Sequence, residues 1–318
     1  MSMNQRQIDE FYMRRCLQLA VNGMKNARPN PMVGAVIVSQ QGIIIGEGYH
    51  AKYGEGHAEV NAFASVRAED EGLLPHSTVY VSLEPCSHYG KTPPCADLIV
   101  RKGVRRVVCG SLDPFAKVHG RGVRKLRDAG IEVTVGVLEN ECIELNKRFM
   151  TFNEKHRPYI ILKWAQSLNG LIDNQGEPYM FSNAFTQMLS HKLRAENDAI
   201  LVGRVTDDRD HPQLTTRFWP GNSPERLVLR HPDTISDVLS HLYAEGKQSL
   251  IVEGGAKTLS SFMEADMWDE IRVETAPIVM AGGTQAPALP ADIRLADKQE
   301  YDGNEIVTYR RATPLLSI

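Results

Sequence analysis

The sequence lacks four features that would place it in a specialised class of protein. No apolar run reaches the roughly 20 residues of a membrane-spanning helix, and the polar residues 1–10 lack the apolar core of a signal peptide. Basic residues are not in excess, because 36 Lys and Arg stand against 39 Asp and Glu. The net charge of −3 excludes a polybasic surface for duplex nucleic acid. Five cysteines, an odd number, argue against a secreted disulfide framework. We therefore expect a cytoplasmic protein that binds neither membranes nor nucleic acid.

What is present is an ordinary globular composition over 318 residues, long enough for two domains. Helical and strand patterns alternate along the whole chain, which is typical of α/β folds with partly parallel sheets. Predicted helices cover residues 11–26, 57–66, 93–102, 123–129, 183–195, 235–245 and 257–264. Predicted strands cover residues 33–39, 43–49, 78–83, 105–110, 131–137, 159–164, 199–203, 226–230, 249–252 and 270–276. A polar helical stretch over 139–155 separates the two series, and we expect α/β domains at 1–148 and 149–318. The segment 206–224 shows no periodicity, as is typical of functional loops.

Three short motifs in the first half carry metal chemistry: His57-Ala58-Glu59, Pro85-Cys86 and Pro94-Cys95. A catalytic zinc site uses about three protein ligands and keeps a position for water, whose pKa the metal lowers toward neutrality. We expect His57, Cys86 and Cys95 to be these ligands. Glu59 is then placed to move protons between the water and a substrate nitrogen. The pattern matches the His-x-Glu and Pro-Cys-x-x-Cys signature of nucleobase deaminases, except that eight residues separate these cysteines.

Two simpler interpretations of these residues stay open. The cysteines could be buried thiols and His57 a core histidine, as is common for single residues of these types. A structural zinc site would need a fourth ligand, for which His88 is the candidate. The other cysteines, Cys16, Cys109 and Cys142, lie inside predicted helices or strands, and we expect them to pack in the core.

Longer motifs make the sequence resemble a known family, the bifunctional deaminase–reductases of riboflavin biosynthesis. The similarity spans nearly the whole chain and is densest up to residue 122. It rests on Pro-Asn-Pro-Met-Val-Gly at 29–34, Gly-Glu-Gly-Tyr-His at 46–50, His-Ala-Glu-Val at 57–60 and the run from Leu83 to Cys95, with Asp113-Pro114 and Gly120-Arg121-Gly122. The run from Glu84 to Cys95 is more specific than the general deaminase signature.

The resemblance implies that the first half is a cytidine-deaminase-like domain holding one Zn²⁺ per chain. Its reaction would be the hydrolytic deamination of 2,5-diamino-6-(5-phosphoribosylamino)pyrimidin-4(3H)-one. Substrate contacts would come from Asn30, His50, His88 and Lys91. Asn30 could instead be a simple turn residue, His50 and His88 could be structural, and Lys91 could be a solvated loop lysine.

The second half contains two glycines, Gly254 and Gly255, between a predicted strand and a predicted helix. Such a turn can bind phosphate through backbone N–H groups, although it is more often only a turn. The resemblance, carried by motifs at 163–170, 191–195, 206–217, 269–270 and 276–277, implies a dihydrofolate-reductase-like domain. That domain would use NADPH to reduce the ribosyl group of 5-amino-6-(5-phosphoribosylamino)uracil to ribityl.

The resemblance also implies site residues for this second reaction. The reductase substrate would contact Arg194, Leu214, Arg217 and Glu253, with the two arginines on its phosphate because a guanidinium binds phosphate in a bidentate manner. NADPH would lie along Lys163, Gln166, Thr206, Asp210, Gly254, Gly255, Ala256, Lys257, Thr258, Leu259 and Ser260.

The sequence departs from the family pattern at the expected cofactor pocket. Pro178-Tyr179-Met180 replaces a usual Ser-x-Trp, His211 replaces an aspartate, and Arg230-His231 replaces Asp-Ser. These departures favour a second hypothesis, a monofunctional deaminase whose second half binds substrate or joins subunits. A third hypothesis, a nucleic-acid-editing deaminase, is opposed by the net charge and by the lack of basic stretches interleaved with aromatic residues. The family also implies a homo-oligomer, dimer or tetramer, formed through the reductase halves.

Overall fold

The computed structural model describes residues 3–89, 93–114 and 119–312. The chain divides into two compact units, Met1–Lys155 and His156–Ile318. The division predicted from the sequence, at residue 148, lies inside a helix, Lys147–Lys155, that belongs to the first unit. The expected uninterrupted helix over 139–155 is two helices, since Asn146 ends the first of them.

The first unit is a five-stranded sheet with helices on both faces. Its helices are α1 Gln5–Ala20, α2 Ala58–Ala64, α3 Cys95–Lys102, α4 Arg121–Asp128, α5 Glu139–Leu145 and α6 Lys147–Lys155, with 3₁₀ turns at Val21–Gly23 and Ala68–His76. Its strands are β1 Gly34–Val38, β2 Ile44–Tyr49, β3 Thr78–Leu83, β4 Arg106–Ser111 and β5 Glu132–Val135. The strand order is β2-β1-β3-β4-β5, with β1 antiparallel to both neighbours and β3, β4 and β5 parallel.

Strand β1 shows how this sheet divides its core between two faces. Ala35 and Ile37 belong to an apolar cluster with α2 and α3, whereas Val36 and Val38 belong to a cluster with α1. This alternation follows from the two-residue period of a strand. Helix α2 packs closely on β2 because Gly48 has no side chain there; an added Cβ would lie 2.3 Å from the Ala62 nitrogen. The predicted hairpin of β1 and β2 is confirmed.

A buried ion pair joins α1 to β4 in this unit. Both carboxylate oxygens of Asp9 accept hydrogen bonds from Arg106, at 2.7 and 2.8 Å. Tyr80 on β3 donates its hydroxyl to the same carboxylate at 2.9 Å. Burial opposes ionisation, but these bonds and one from Gln5 hold the pKa of Asp9 below its ordinary value. The pair therefore fixes α1 to the sheet in the charged form.

The second unit is a seven-stranded sheet that is mainly parallel. Its strands are β6 Tyr159–Gln166, β7 Ala199–Gly203, β8 Glu225–Leu229, β9 Ser249–Val252, β10 Glu270–Thr275, β11 Ile293–Tyr301 and β12 Asn304–Arg311. Its helices are α7 Ala184–Ala195, α8 Arg204–Asp210, α9 Ile235–Ala244 and α10 Ala256–Glu264. The order is β11-β12-β10-β6-β9-β7-β8, and only β12 pairs antiparallel with both of its neighbours.

The central strands of this sheet are buried on both faces, which explains their continuous apolar runs. On β6, Ile160 and Leu162 enter one apolar cluster and Ile161 enters another. The sequence predictions did not include the 3₁₀ turn Ala68–His76, helix α8, which overlaps the start of the expected loop 206–224, or the hairpin of β11 and β12. Within the described ranges, no helix is both long and apolar enough to cross a membrane.

Candidate active sites

Three separate elements of the first unit bring the predicted metal ligands together. His57 is the N-cap residue of α2, Cys86 follows the end of β3, and Cys95 begins α3. The His57 Nδ1 atom lies 3.5 Å from the Cys86 sulfur and 3.4 Å from the Cys95 sulfur. All three ligand atoms lie within 4.8 Å of one another. Tetrahedral zinc with bonds of roughly 2.0–2.3 Å needs ligand atoms at about this spacing, so the cluster fits the ion.

Local hydrogen bonds fix the two cysteines in this arrangement. The Cys95 backbone N–H donates to the Cys86 sulfur at 3.2 Å, and Ala96 N–H donates to the Cys86 carbonyl at 3.1 Å. Hydrogen bonds with Cys95 and His57 lower the pKa of the Cys86 thiol despite its burial. This lowered pKa favours the thiolate form of Cys86, the form that binds metals.

Glu59 lies beside this cluster in the first turn of α2. Its side chain is buried, at 4% exposure. Burial raises the pKa of Glu59 to about 7, and the negative charge of Cys86 acts in the same direction. A carboxyl group in this position is suited to take up and release a proton near neutral pH.

Asn30 and His50 meet next to the cluster. The Asn30 amide Nδ2 lies 3.1 Å from His50 Nε2, and His50 Nδ1 lies 3.1 Å from the Gly56 carbonyl. Since a carbonyl only accepts, His50 Nδ1 carries the proton, and Nε2 accepts from the amide. Burial lowers the pKa of His50, which favours this neutral form. The rings of His50 and His57 are 5.4 Å apart and nearly perpendicular.

The two remaining predicted contacts of this unit differ in outcome. His88 is exposed and is not part of the metal-ligand group found among the described residues. That placement gives no support to a structural zinc site with His88 as fourth ligand. Lys91 lies outside the described residues.

Glu84, which precedes the cysteine motif, has a structural role that the sequence predictions did not include. Its buried carboxylate accepts from the backbone N–H groups of Asp113, Gly120 and Val123 at 3.3, 2.9 and 3.1 Å. Gly122 packs tightly here, since an added Cβ would lie 2.0 Å from the Pro85 carbonyl oxygen. Through these hydrogen bonds Glu84 holds the start of α4 in contact with the backbone next to Cys86. An acidic residue directly after an apolar strand was the available signal.

The second unit contains a cavity of about 300 Å³ at the carboxyl ends of its parallel strands. Parallel strands place their following loops at one edge of the sheet, where ligands bind in open α/β folds. Nine of the predicted site residues line it: Lys163, Arg194, Thr206, Asp210, Leu214, Arg217, Glu253, Gly254 and Gly255.

An ion pair organises one wall of this cavity. Arg194 donates to both carboxylate oxygens of Glu253, at 2.7 and 3.2 Å, and to the Thr215 carbonyl at 3.3 Å. Burial opposes ionisation of Glu253, but Lys163 and Arg194 hold its pKa below the ordinary value. Arg217 is more exposed and donates to the side chains of Gln213 and Thr215. The wall therefore presents two guanidinium groups with different degrees of restraint.

The glycine turn packs against the start of helix α8, which directly follows β7. Gly255 donates its N–H to the Thr206 hydroxyl at 3.0 Å. Gly203 leaves room for α10, because an added Cβ would lie 2.1 Å from the Thr258 hydroxyl oxygen. Several residues predicted to bind NADPH are not in the cavity wall: Gln166, Ala256, Lys257, Thr258, Leu259 and Ser260. Gln166 accepts from the Trp164 indole N–H at 2.8 Å, and Leu259 is fully buried in the apolar core.

Of the residues at which the sequence departs from the family pattern, some line the cavity and others do not. Tyr179 and Met180 line it, whereas His211 ends α8 in a left-handed conformation, with φ of 41°, and does not. Arg209, which sequence analysis did not select, also lines the cavity and donates to Asp210 at 2.5 Å and to the Gly176 carbonyl at 2.7 Å. His191 is a second missed residue of the wall.

Comparisons with known proteins agree with this division into two sites. Residues 6–111 match a family model described as the cytidine and deoxycytidylate deaminase zinc-binding region, and residues 158–304 match the RibD C-terminal domain. The riboflavin biosynthesis protein RibD of Escherichia coli K12 is 43% identical, over 94% of this chain and 96% of its own length. RibD of Aquifex aeolicus is 38% identical, over 87% of this chain and 89% of its own.

A solved structure is similar over nearly the full length. The diaminohydroxyphosphoribosylaminopyrimidine deaminase/5-amino-6-(5-phosphoribosylamino)uracil reductase of Thermotoga maritima superposes with a TM-score of 0.88 at 32% identity. The match covers 97% of this chain and all of that one. The expected fold class, a cytidine-deaminase-like α/β domain followed by a reductase α/β domain, is confirmed.

Proposed function

Because the chain belongs to the RibD family of riboflavin biosynthesis proteins, we propose the following roles for its two units. It is a bifunctional enzyme, a deaminase and a reductase. The first unit hydrolyses the 2-amino group of 2,5-diamino-6-(5-phosphoribosylamino)pyrimidin-4(3H)-one. The second unit reduces the ribosyl group of the product to ribityl with NADPH. The observation that carries the proposal is the convergence of His57, Cys86 and Cys95 beside the buried Glu59.

In the deaminase unit, His57, Cys86 and Cys95 hold the metal. A zinc ion bound there supplies a Lewis acid that lowers the pKa of water toward neutrality. Glu59 accepts a proton from the attacking water and delivers it to the departing nitrogen. The water oxygen bonds to C2 of the pyrimidine, the C2–N bond breaks, and ammonia leaves.

Asn30 is the proposed pyrimidine contact in this unit. His50 restrains it, since the neutral ring accepts from the Asn30 amide while its other nitrogen donates to Gly56. An amide fixed in this way presents its oxygen in a defined orientation. His88 and Lys91 are proposed as contacts to the remainder of the substrate, including its phosphate.

In the reductase unit, Arg194, Leu214, Arg217 and Glu253 are proposed to bind the substrate. NADPH, when bound, supplies the hydride, and the proposed contacts are the predicted residues that line the cavity: Lys163, Thr206, Asp210, Gly254 and Gly255. Positioning is the main task of the protein in such a transfer. The Arg194–Glu253 pair serves it by holding the carboxylate in one orientation.

The monofunctional alternative has one supporting observation, the presence of Met180 in the cavity wall where the family usually has a tryptophan. Against it, Arg194, Arg217, Glu253 and the glycine turn all remain at one cavity. We further propose a homo-oligomer formed through the reductase units, as the resemblance implies. We also propose a cytoplasmic location, where the five free cysteines stay reduced.

One assay tests both activities. Zinc-loaded protein is incubated with the diaminopyrimidine phosphate, and ammonia release and NADPH absorbance are followed together. Both signals are expected. Glu59→Gln should abolish ammonia release, and NADPH oxidation should return when the aminouracil phosphate is supplied directly. Ammonia without NADPH oxidation, with the deaminated product accumulating, would favour the monofunctional alternative. No signal in either channel would contradict the proposed function.

A further inference from the structure

His191 is a buried residue of the reductase cavity wall without a role in the reaction described above. It lies on α7, three residues before Arg194, and its side chain is 1% exposed. Residues three apart on a helix share a face. The imidazole is thus a neighbour of the guanidinium proposed to bind the substrate phosphate, and Arg217 also acts on it electrostatically.

The contacts of the ring determine which nitrogen carries the proton. The Phe218 backbone N–H donates to His191 Nδ1 at 3.5 Å, and the two rings pack with centroids 4.8 Å apart. A nitrogen that accepts a hydrogen bond has no proton, so in the neutral imidazole the proton is on Nε2. Among residues 3–89, 93–114 and 119–312, none accepts a hydrogen bond from this Nε2–H.

The charges around His191 keep it neutral. Burial and repulsion by Arg194, Arg217 and Lys163 lower the pKa of His191 to about 4, and only Glu253 acts in the opposite direction. The neutral ring therefore adds an oriented hydrogen-bond donor to a cavity wall that also carries the positive charges of Arg194, Arg217 and Lys163. Hydrogen bonds to a charged acceptor are stronger than those to a neutral one.

We propose that His191 donates a hydrogen bond from Nε2–H to a phosphate oxygen of the reductase substrate, beside Arg194 and Arg217. His191 is thereby a determinant of specificity for the phosphorylated substrate. This inference rests on the proposed reductase function. It differs from a packing role, in which the ring only supports Phe218.

Two amide variants separate these roles. In His191→Asn the amide oxygen reproduces the Nδ1 acceptor for Phe218, but no donor reaches the Nε2 position. In His191→Gln the longer side chain brings an amide N–H to that position. KM for the aminouracil phosphate is measured at saturating NADPH, together with the Ki of inorganic phosphate as a competitive inhibitor.

The expected result is a rise of about tenfold to hundredfold in both KM and phosphate Ki for His191→Asn. The value of kcat should stay within about threefold, because a contact remote from the reacting carbon binds ground state and transition state alike. His191→Gln should recover most of the loss in both constants. His241→Asn, an exposed histidine on α9 outside the cavity wall, is the matched control and should change neither.

Three results would overturn the inference. One is a KM and phosphate Ki for His191→Asn within about twofold of wild type. Another is a loss of kcat with KM unchanged. The third is an equal loss in both amide variants with a lowered thermal midpoint, which would show a packing role. If wild-type protein fails to oxidise NADPH with the aminouracil phosphate, the proposed function fails and this inference falls with it.

Discussion

Arg194 holds both carboxylate oxygens of Glu253, and the two side chains come from different elements of the reductase unit. Arg194 lies near the end of α7, whereas Glu253 follows β9. Their side chains are only 12% and 11% exposed. A pair this buried is poorly screened by water, so removal of one partner leaves a costly charge behind. The positions of both side chains in the wall of the reductase cavity therefore depend on this ion pair.

Replacement of Glu253 by Gln should therefore damage reduction far more than deamination. The guanidinium of Arg194 loses its charge partner, and the amide offers only one acceptor oxygen. We expect a loss of about 3 kcal/mol in the stability of the reductase unit. Reductase kcat/KM should fall at least about hundredfold, with the deaminase rate within about twofold. Separate assays with each substrate, and urea unfolding, measure these effects.

The control for this prediction is Glu225→Gln. Glu225 pairs with Lys247 at 2.9 Å, but both side chains are about one-third exposed. Water screens such a pair, so its loss should cost less than about 1 kcal/mol. If Glu225→Gln and Glu253→Gln were equally destabilising, the buried pair would have no special role.

Metal removal should affect only one of the two activities. The proposed ligands all lie in the first unit, and their sulfur and nitrogen atoms are within 4.8 Å of one another. Cys86→Ser should abolish stoichiometric zinc binding and ammonia release, since a serine hydroxyl is a poor zinc ligand. NADPH oxidation with supplied aminouracil phosphate should persist. Zinc content by atomic emission and the absorption of the Co²⁺-substituted protein provide the readout.

Cys109→Ser is the matched variant for that experiment. Cys109 is a buried free thiol on β4 and is not in the ligand cluster. It should keep stoichiometric zinc. Loss of zinc from Cys109→Ser alone would contradict the assignment of the ligands.

Much of the fold was predictable from the sequence, because the spacing of apolar residues along a helix or strand reflects which of its faces are buried. The runs on β1, β3 and β6 are apolar because these strands are buried on both faces. The hairpin of β11 and β12 was not predicted, since β11 is an edge strand with mostly exposed residues. The position of β11 depends on its pairing with β12, and the sequence of β11 alone does not reveal this pairing. Helix α8 is short and entirely without buried residues, so it leaves no apolar period.

The candidate sites were predictable to different extents. The motif around His57 and Cys86 identified the ligand cluster, because metal chemistry restricts residue types and spacing. Family motifs placed Arg194 and Glu253 at one cavity but did not show that they pair. His191 was missed because its surroundings, Phe218 and two arginines, come together only in the fold.

The Asp9–Arg106 pair should make the first unit sensitive to acid. The pKa of Asp9 is held below its ordinary value of 3.8, so the charged form stabilises the fold. That contribution is complete above the unfolded pKa, about 3.9, and is lost as pH falls through the lower folded value. Asp9→Asn should destabilise the unit by about 3 kcal/mol at pH 6. The difference from wild type should shrink toward pH 3.

Urea unfolding of both proteins across this pH range measures the effect. Taking the difference between them removes acid effects common to both, including protonation of the metal ligands. Glu10→Gln, which removes a surface pair with Arg6 at 3.1 Å, should change stability by less than about 0.5 kcal/mol. A difference for Asp9→Asn that stayed constant from pH 6 to pH 3 would show that its charge is not responsible.

Glu84 should support the metal site through the segment it holds. Glu84→Ala leaves the buried N–H groups of Asp113 and Val123 and the half-buried N–H of Gly120 without their acceptor. Each buried group costs about 1–3 kcal/mol, so we expect a total loss of at least about 2 kcal/mol in the first unit. Glu84→Gln keeps one acceptor oxygen and should lose less. Thermal unfolding and zinc competition with a coloured chelator measure the two effects.

The role of Glu84 is tested by ranking wild type, Glu84→Gln and Glu84→Ala by stability and zinc affinity. If the carboxylate holds the start of α4 against Pro85, stability and zinc affinity should both fall from wild type to Gln to Ala, while reduction of supplied aminouracil phosphate persists. Glu132→Gln, an exposed carboxylate on β5 that pairs with Arg106, should keep zinc affinity unchanged. A stable Glu84→Ala protein with wild-type zinc affinity would contradict this role, because the buried N–H groups of Asp113 and Val123 cannot lose their acceptor without a cost.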